Sequence, residues 1–493
     1  MQAKTFPVLQ LLVFIAATAS HGGEAPEDLR AIFSIEKIAG NAGLKNAVAF
    51  PEYSSAPPSH NVASDAAMND IAGKLKPGDV VVIASGSYKD FETVIPESVA
   101  GTREQKIIIR AEQPGSVELT GRSRFEIRGR HIQLHGFKFS KTGASSVVLA
   151  GKYNRLHRCQ FTECGDPKST QNHVMILPPG TQYNEVDYNE FAGSISMSIK
   201  VRADALGSEH VTQHNFLHHN LFRDIPKLSS NGGEAIQIAG PQGGATELHL
   251  KTRVEHNVFL RVNGDAETIS NKTPGNFYRW NIIKDSESAL TIRGGSDCVI
   301  EGNAHINTRP MRVMGSRHKI VNNLFYNASV FLSHGSANYE AARDILFAHN
   351  TIINTKSAIV FGGQQPELKA GIEGNRFVNN ILVSTSGSEP VLIRSLPEYS
   401  AEWSAERNKF SRNILWAAGK PFPKLPAPAG EDNIVADPKV ELGESGLSNL
   451  AAGSAAVNAG LPDISARDLA GSPRDAQPDI GANEARKPSS TEK

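Results

Sequence analysis

Hydrophobic and polar positions along this chain alternate in short runs rather than in helical stripes. HIQLHGFKF from His131, SALTIRG from Ser288 and HKIVNNLF from His318 are bounded by Gly, Asn, Asp or Ser. That is the pattern of short strands separated by turns. Many runs end in an asparagine with an apolar residue one or two positions later, at Asn189, Asn220, Asn257, Asn281, Asn303, Asn323, Asn350, Asn380 and Asn413. Asn257, Asn281, Asn303 and Asn323 follow one another at intervals of 24, 22 and 20 residues, with longer gaps elsewhere that read as inserted loops. A period near twenty built from strands predicts a solenoid, not a sandwich. The expected fold is therefore all-β, a single-stranded right-handed parallel β-helix. Its recurring asparagines are expected to be turn formers whose amides ladder from coil to coil.

A helical stretch around Ala66 to Leu75 is expected to cap the N-terminal end, where a solenoid would otherwise expose an unpaired edge. The predicted organisation is an N-terminal extension and cap over 20–70, the β-helix over 71–420, an irregular region over 421–485 packing on it, and a disordered tail over 486–493. KPFPKLPAPAG, from Lys420 to Gly430, is Pro-rich and expected to be extended. Residues 1–19 carry Lys4, an apolar run from Phe6 to Ala17 and the small triplet ending at Ala19. This is the layout of a secretory signal cleaved after Ala19, and its apolar run is too short to span a bilayer. No later stretch is apolar enough to span either, so the mature chain is expected to be soluble and secreted or periplasmic.

Composition narrows the partners. With 51 basic and 51 acidic residues in 493, the formal charge is zero, so no global field draws the chain to nucleic acid or anionic lipid. A polyanion has to be held by a local basic cleft. The three cysteines are too few for a disulfide framework and lack zinc-site spacing. Cys159 and Cys164 could bridge across a turn or remain separate buried thiols.

The candidate chemistry sits in GDAETISNKT and LTIRGG. Asp265 and Glu267 are two apart and share a face in a strand. Two carboxylates on one face repel unless a cation joins them, and an oxygen-only set suits Ca²⁺ better than Mg²⁺ or Mn²⁺. Asn231 is the expected third ligand, with Glu234 as the alternative. Lys272 lies an odd number of residues after Glu267, so a turn or bulge around Ser270–Asn271 is needed to bring it to the same face. Arg293 follows Lys272 by 21 residues, close to one coil.

These parts fit β-elimination across a 4-linked uronic acid. A cation offsets the charge that develops on the sugar carboxylate. Lys272, kept neutral by desolvation or nearby cations, removes the C5 proton. Arg293 stabilises the departing O4, whose proton comes from water or another group. Each residue alone also reads as a solvated charge on a repeat surface; the coil spacing joins them. Arg309 and Arg312 are either grips for substrate carboxylates or surface charges. His318, His334 and His349 read as turn or core histidines.

These motifs, together with LKPGDVVVIASGSY, GTREQKIIIRAEQPG, NGGEAIQI and RVMGSRHKIVNNLF, resemble polysaccharide lyase family 6, the alginate lyase and chondroitinase B family, over nearly the whole mature chain. DPKV and DIGANEA near the C-terminus resemble an ending shared by many β-helix proteins and bear on fold only. The resemblance implies a calcium-assisted lyase acting on an anionic polysaccharide, alginate first, with Asn231, Asp265 and Glu267 as ligands, Lys272 as base and Arg293 as its partner. Two positions depart from the family pattern, which usually has glutamate at Asp265 and histidine at Gly294. The shorter carboxylate is expected to weaken the cation site, and the missing ring to alter the cleft or the proton relay. Competing expectations are a dermatan sulfate lyase and a β-helix carbohydrate-binding protein that has lost turnover. Intact Lys272 and Arg293 argue against the second. A pectinase-type hydrolase is disfavoured because its acid and base would need a carboxylate cluster facing the cleft.

Overall fold

Each complete coil contributes one short strand to each of three sheets. The computed structural model describes residues 56–204, 211–229, 231–241, 244–334, 339–354, 356–362, 371–393, 407–418, 432–442 and 448–485. Among them are parallel sheets of fourteen, twelve and thirteen strands. The fourteen-stranded sheet runs from His60–Val62 to Lys409–Ser411, the twelve-stranded from Glu92–Ile95 to Val391–Ile393, and the thirteen-stranded from Gly86–Lys89 to Ile414–Ala417. The expected parallel β-helix is what forms. The predicted signal segment, the Pro-rich stretch 420–430 and the tail 486–493 lie outside the described residues.

The alternation explains the architecture. Inward positions stack like on like, so Leu134, Leu156, Val186 and Leu217 pair in register on successive coils. Phe139, Phe161, Phe191, Phe222 and Phe259 form a column with ring centroids 4.7, 4.6, 5.0 and 4.8 Å apart. These spacings match the coil repeat and place the rings in stacking range. The asparagines do what their recurrence predicts. Each side-chain amide from Asn189 to Asn413 donates to the amide oxygen of the next asparagine, ending on Asn433, at 2.8–3.0 Å. Buried amides are thus satisfied by their own repeat.

The N-terminal helix spans Asp65–Ala72 and begins at Ser64, whose hydroxyl accepts the Ala67 N–H. It buries Met68 and Ala72 against the first coils. C-terminal residues return along the solenoid, with Leu469 and Ala482 packing on Ala304 and Leu324, and Ala456 and Ile480 on Ile353, Ile381 and Ile414. Cys159, Cys164 and Cys298 are all free and buried, so the bridge between Cys159 and Cys164 is not made. Burial pushes the Cys159 thiol up to about 12, which leaves it inert as a nucleophile.

Candidate active site

The chemistry collects on the outer face of the twelve-stranded sheet. Strand Glu267–Asn271 pairs with Ile236–Ala239 before it and Ala289–Ile292 after it. Its register shifts between Glu267 and Ile269. That irregularity turns Ile269 into the core while Glu267, Ser270 and Lys272 share the outer side, so the face change comes from Thr268 and not, as expected, from Ser270–Asn271. A bulge re-aims a side chain in this way. Lys272 donates its N–H to Ile238, and Arg293 donates its own to the Asn271 carbonyl at 2.8 Å. Lys272 and Arg293 therefore occupy neighbouring rungs, about 4.8 Å apart along the axis.

Three carboxylates stand beside them. Gly232 and Gly233 adopt φ of 103° and 95°, and a Cβ on Gly264 would lie 2.2 Å from the Gly233 carbonyl. Only glycine permits this approach of two turns, and it lets the Gly232 N–H donate to Asp265 Oδ2 at 2.9 Å. The other Asp265 oxygen accepts from Ala266. Burial, then the charge of Glu267, raises the Asp265 pKa. Glu234 is raised by burial first, with Asp265 and Glu267 adding to it. One oxygen of Glu234 and one of Glu267 are buried without a hydrogen-bond partner. Buried carboxylate oxygens left in this state are costly unless something cationic meets them, so the donor set fits a hard divalent ion.

Asn231 is exposed, and its backbone carbonyl accepts from Ser229 Oγ at 2.8 Å and from Gln171. It adjoins Asp265 through Gly232, while Glu234 is the more buried neighbour of the carboxylate pair. Arg312 is paired with Glu267 Oε1, which Arg293 Nη1 also approaches at 3.6 Å, and its side chain remains partly exposed. Arg309 lies in the exposed turn before Met311–Val313. Burial first, then the Arg293 charge, lowers the Lys272 pKa from its ordinary 10.5. A lysine so placed is closer to the neutral form that a base requires.

Sequence reasoning missed three residues. Lys200 and Arg202 lie on Met197–Arg202, with Lys200 in the outer row of Gln237 and Ser270, and Arg202 in the row of Ala239. Their alternation in MSIKVR was a signal, but only the register assigns them to this face. Tyr339 is the third. Its ring lies against Gly294, and the Arg293 guanidinium carbon stands 5.3 Å from its centre. Nothing in the local sequence announces that contact. Beyond Gly294 a cleft of about 550 Å³ opens, lined by Tyr339, His249, Ser316 and Arg317 among others.

A second acidic group lies elsewhere. Glu185, Asp187 and His218 offer ligand atoms within 4.8 Å of one another, but on the fourteen-stranded sheet. Arg155 grips Asp187 at 2.8 and 2.5 Å, and His218 meets Glu185 at 2.8 Å. This group is already paired.

The family model described as Chondroitinase B matches residues 62–375. No curated protein matches the chain. Among solved structures it is similar to the family 6 alginate lyase AlyGC, with a TM-score of 0.70 and 26% identity over 80% of this chain and 56% of that one. This chain thus spans little more than half of that relative. It also resembles a mannuronic acid specific family 6 lyase from human gut microbiota, with a TM-score of 0.62 and 24% identity over 72% of this chain and 86% of that one. The family 6 lyase of Pseudopedobacter saltans aligns with a TM-score of 0.62 and 20% identity, over 76% and 99% of the two chains. These last two likenesses are of fold. With a family match over most of the solenoid and this architecture, the chain belongs to the chondroitinase B family, polysaccharide lyase family 6.

Proposed function

We propose that this chain cleaves 4-linked uronic acid polymers, alginate first among them, by β-elimination. The observation that carries the reading is the pairing of Lys272 and Arg293 on neighbouring rungs of one outer face, beside buried carboxylate oxygens that lack partners. Lys272 takes the C5 proton, the C5–H electron pair forms the C4–C5 double bond, and the C4–O4 bond breaks with its electrons left on O4, which takes a proton from water. Arg293 stands where charge gathers on O4 and holds it by electrostatic attraction. The family match and the likeness to AlyGC support a polysaccharide as substrate.

Asp265, Glu267, Glu234 and Asn231 are the residues that would hold Ca²⁺, whose charge, when bound, offsets that of the uronate carboxylate. Arg312 keeps Glu267 oriented toward this group. Lys200 and Arg202 extend the basic face along the axis and offer charge to further uronate units. We also infer that residues 1–19 direct export, to be checked by sequencing the N-terminus of the mature protein. Among the described residues no helix is long and apolar enough to cross a membrane.

The deciding experiment incubates the purified protein with alginate, its mannuronate and guluronate blocks, pectate and dermatan sulfate, and follows the ultraviolet absorbance of a new unsaturated uronate. Absorbance with alginate supports the reading. Dermatan sulfate alone would move the substrate to the family's other chemistry, and none at all would leave a carbohydrate-binding solenoid.

A further inference from the structure

Gly294 does not need to be glycine for its backbone, since it is not among the residues with positive φ. It needs to be small. A Cβ there would stand 2.8 Å from Tyr339 Cδ1 and 3.1 Å from Cε1, closer than packed carbons allow. The ring comes from the connection between strands Val330–Ser333 and Leu346–Ala348, two coils further along. That connection is anchored on Gly315, whose N–H donates to the Glu340 carbonyl and whose own carbonyl accepts from Arg343, both at 3.1 Å. The half-buried ring thus lies over Gly294 and faces the Arg293 guanidinium, 5.3 Å from ring centre to Cζ. That is within cation–π range.

We propose that Tyr339 is the positioning residue for Arg293, and that Gly294 is small in order to admit its ring. The inference rests on the reading of Lys272 and Arg293 as the eliminating pair. A long side chain that is 36% exposed has many rotamers, and the salt contact to Glu267 at 3.6 Å holds only one edge of the guanidinium. The aromatic face supplies the second restraint, so that the cation is in place before O4 departs. Positioning of this kind acts on kcat, because it is felt in the transition state more than in binding.

The test measures kcat and KM on the best-cleaved polymer for Tyr339→Phe, Tyr339→Leu and Tyr339→Ala, and for Gly294→Ala in the wild-type and Tyr339→Ala backgrounds. Phenylalanine keeps the aromatic face and should stay within about twofold of wild type. Leucine and alanine should lower kcat roughly 10- to 100-fold, the scale of a misplaced catalytic group, with little change in KM. Gly294→Ala should lower kcat when Tyr339 is present and do nothing further once the ring is gone. Leucine fills the site, so it reads the role of the ring even if the alanine variant folds poorly. The proposal is overturned if Tyr339→Leu keeps wild-type kcat, if the loss appears only in KM, if Tyr339→Phe is as poor as Tyr339→Leu, or if Gly294→Ala costs the same in both backgrounds. A wild-type protein that releases no unsaturated product from any polymer overturns the functional reading as well, whereas an active wild type with a silent Tyr339 overturns this inference alone.

Discussion

On the outer face of the fourteen-stranded sheet, Asp187 gives both oxygens to Arg155 and Glu185 is met by His218. Two coils on, Glu255 accepts from Nε and Nη2 of Arg253, one on each oxygen. On the twelve-stranded sheet the carboxylates are buried as well, with Glu234 and Glu267 at 2% and 3% exposure. Yet each keeps one oxygen without a partner, and Asp265 stands close enough to raise their mutual cost. The solenoid is the same; the accounting of charge differs. Where every buried charge is answered within the protein, the ladder serves the fold. Where buried oxygens are left without a partner, they are open to a charge from outside, a cation or a substrate. Distance alone does not separate the two groups, since Glu185, Asp187 and His218 also satisfy the distance criterion for a metal.

Substituting one residue from each face breaks the comparison most directly. Lys272→Ala should lower the elimination rate by on the order of 10² to 10⁴, the typical worth of a positioned base, while leaving the unfolding midpoint nearly unchanged. Arg155→Ala should do the reverse. It strands Asp187, which is wholly buried, and breaking such a pair costs about 3–5 kcal/mol of stability. Rate measurements with thermal unfolding of both variants decide it. A Lys272→Ala enzyme with near-normal turnover removes the base from the scheme.

Chelation comes next in size. Treatment with EDTA should suppress activity, and calcium should restore it better than magnesium, because a site of loosely arranged carboxylate and amide oxygens fits the larger ion. Calcium should also raise the unfolding midpoint, as any ligand of the native state does. Glu267→Gln should abolish both responses, and Glu185→Gln should abolish neither. If the Glu185 variant loses the calcium response, the functional ion belongs to the other face.

How much of this was legible in the sequence follows from what repeats. Asparagine recurs at one turn position of successive coils from Asn189 to Asn413, so the asparagine ladder and the fold could be read directly, whereas the phenylalanine column emerged only from the register. Lys272 and Arg293 are 21 residues apart, close enough to one coil for their adjacency to be inferred. The bulge beside Thr268 was misplaced, because register depends on the neighbouring strand and not on parity along one strand. The pairing of Arg312 with Glu267 spans two coils whose lengths are set by intervening turns. Tyr339 was out of reach, since its place depends on a connection that folds back two coils and leaves no periodic trace.

The charge beside Lys272 can be probed through pH. The lysine must be neutral to accept a proton, so kcat/KM should rise with pH through its pKa and level off above it. Burial and the Arg293 charge both lower that pKa from 10.5. Arg293→Ala removes one of these effects, so the rising limb of its residual activity should move to higher pH, whereas Arg293→Lys should leave it nearly in place. Profiles of the two variants provide the measurement. A limb that stays fixed in the alanine variant, or moves down, belongs to a group other than Lys272.

The smallest effect concerns Asp265. Its side chain is spent on backbone N–H groups, one oxygen accepting from the adjacent Ala266 and the other from Gly232 on the turn one coil before. A short carboxylate closes such turns readily. Glutamate, one methylene longer, cannot close the same ring as easily, so Asp265→Glu should release an oxygen toward Glu234 and Glu267. The calcium concentration for half-maximal activity should then fall by up to about fivefold, the equivalent of one net hydrogen bond of about 1 kcal/mol. The same change should slightly lower the unfolding midpoint without calcium, because the two backbone N–H groups lose their acceptor. Calcium titrations of activity with unfolding scans measure both halves. An unchanged calcium requirement with a lowered midpoint would make Asp265 a brace for the Gly232 turn and leave the ion to Glu234 and Glu267.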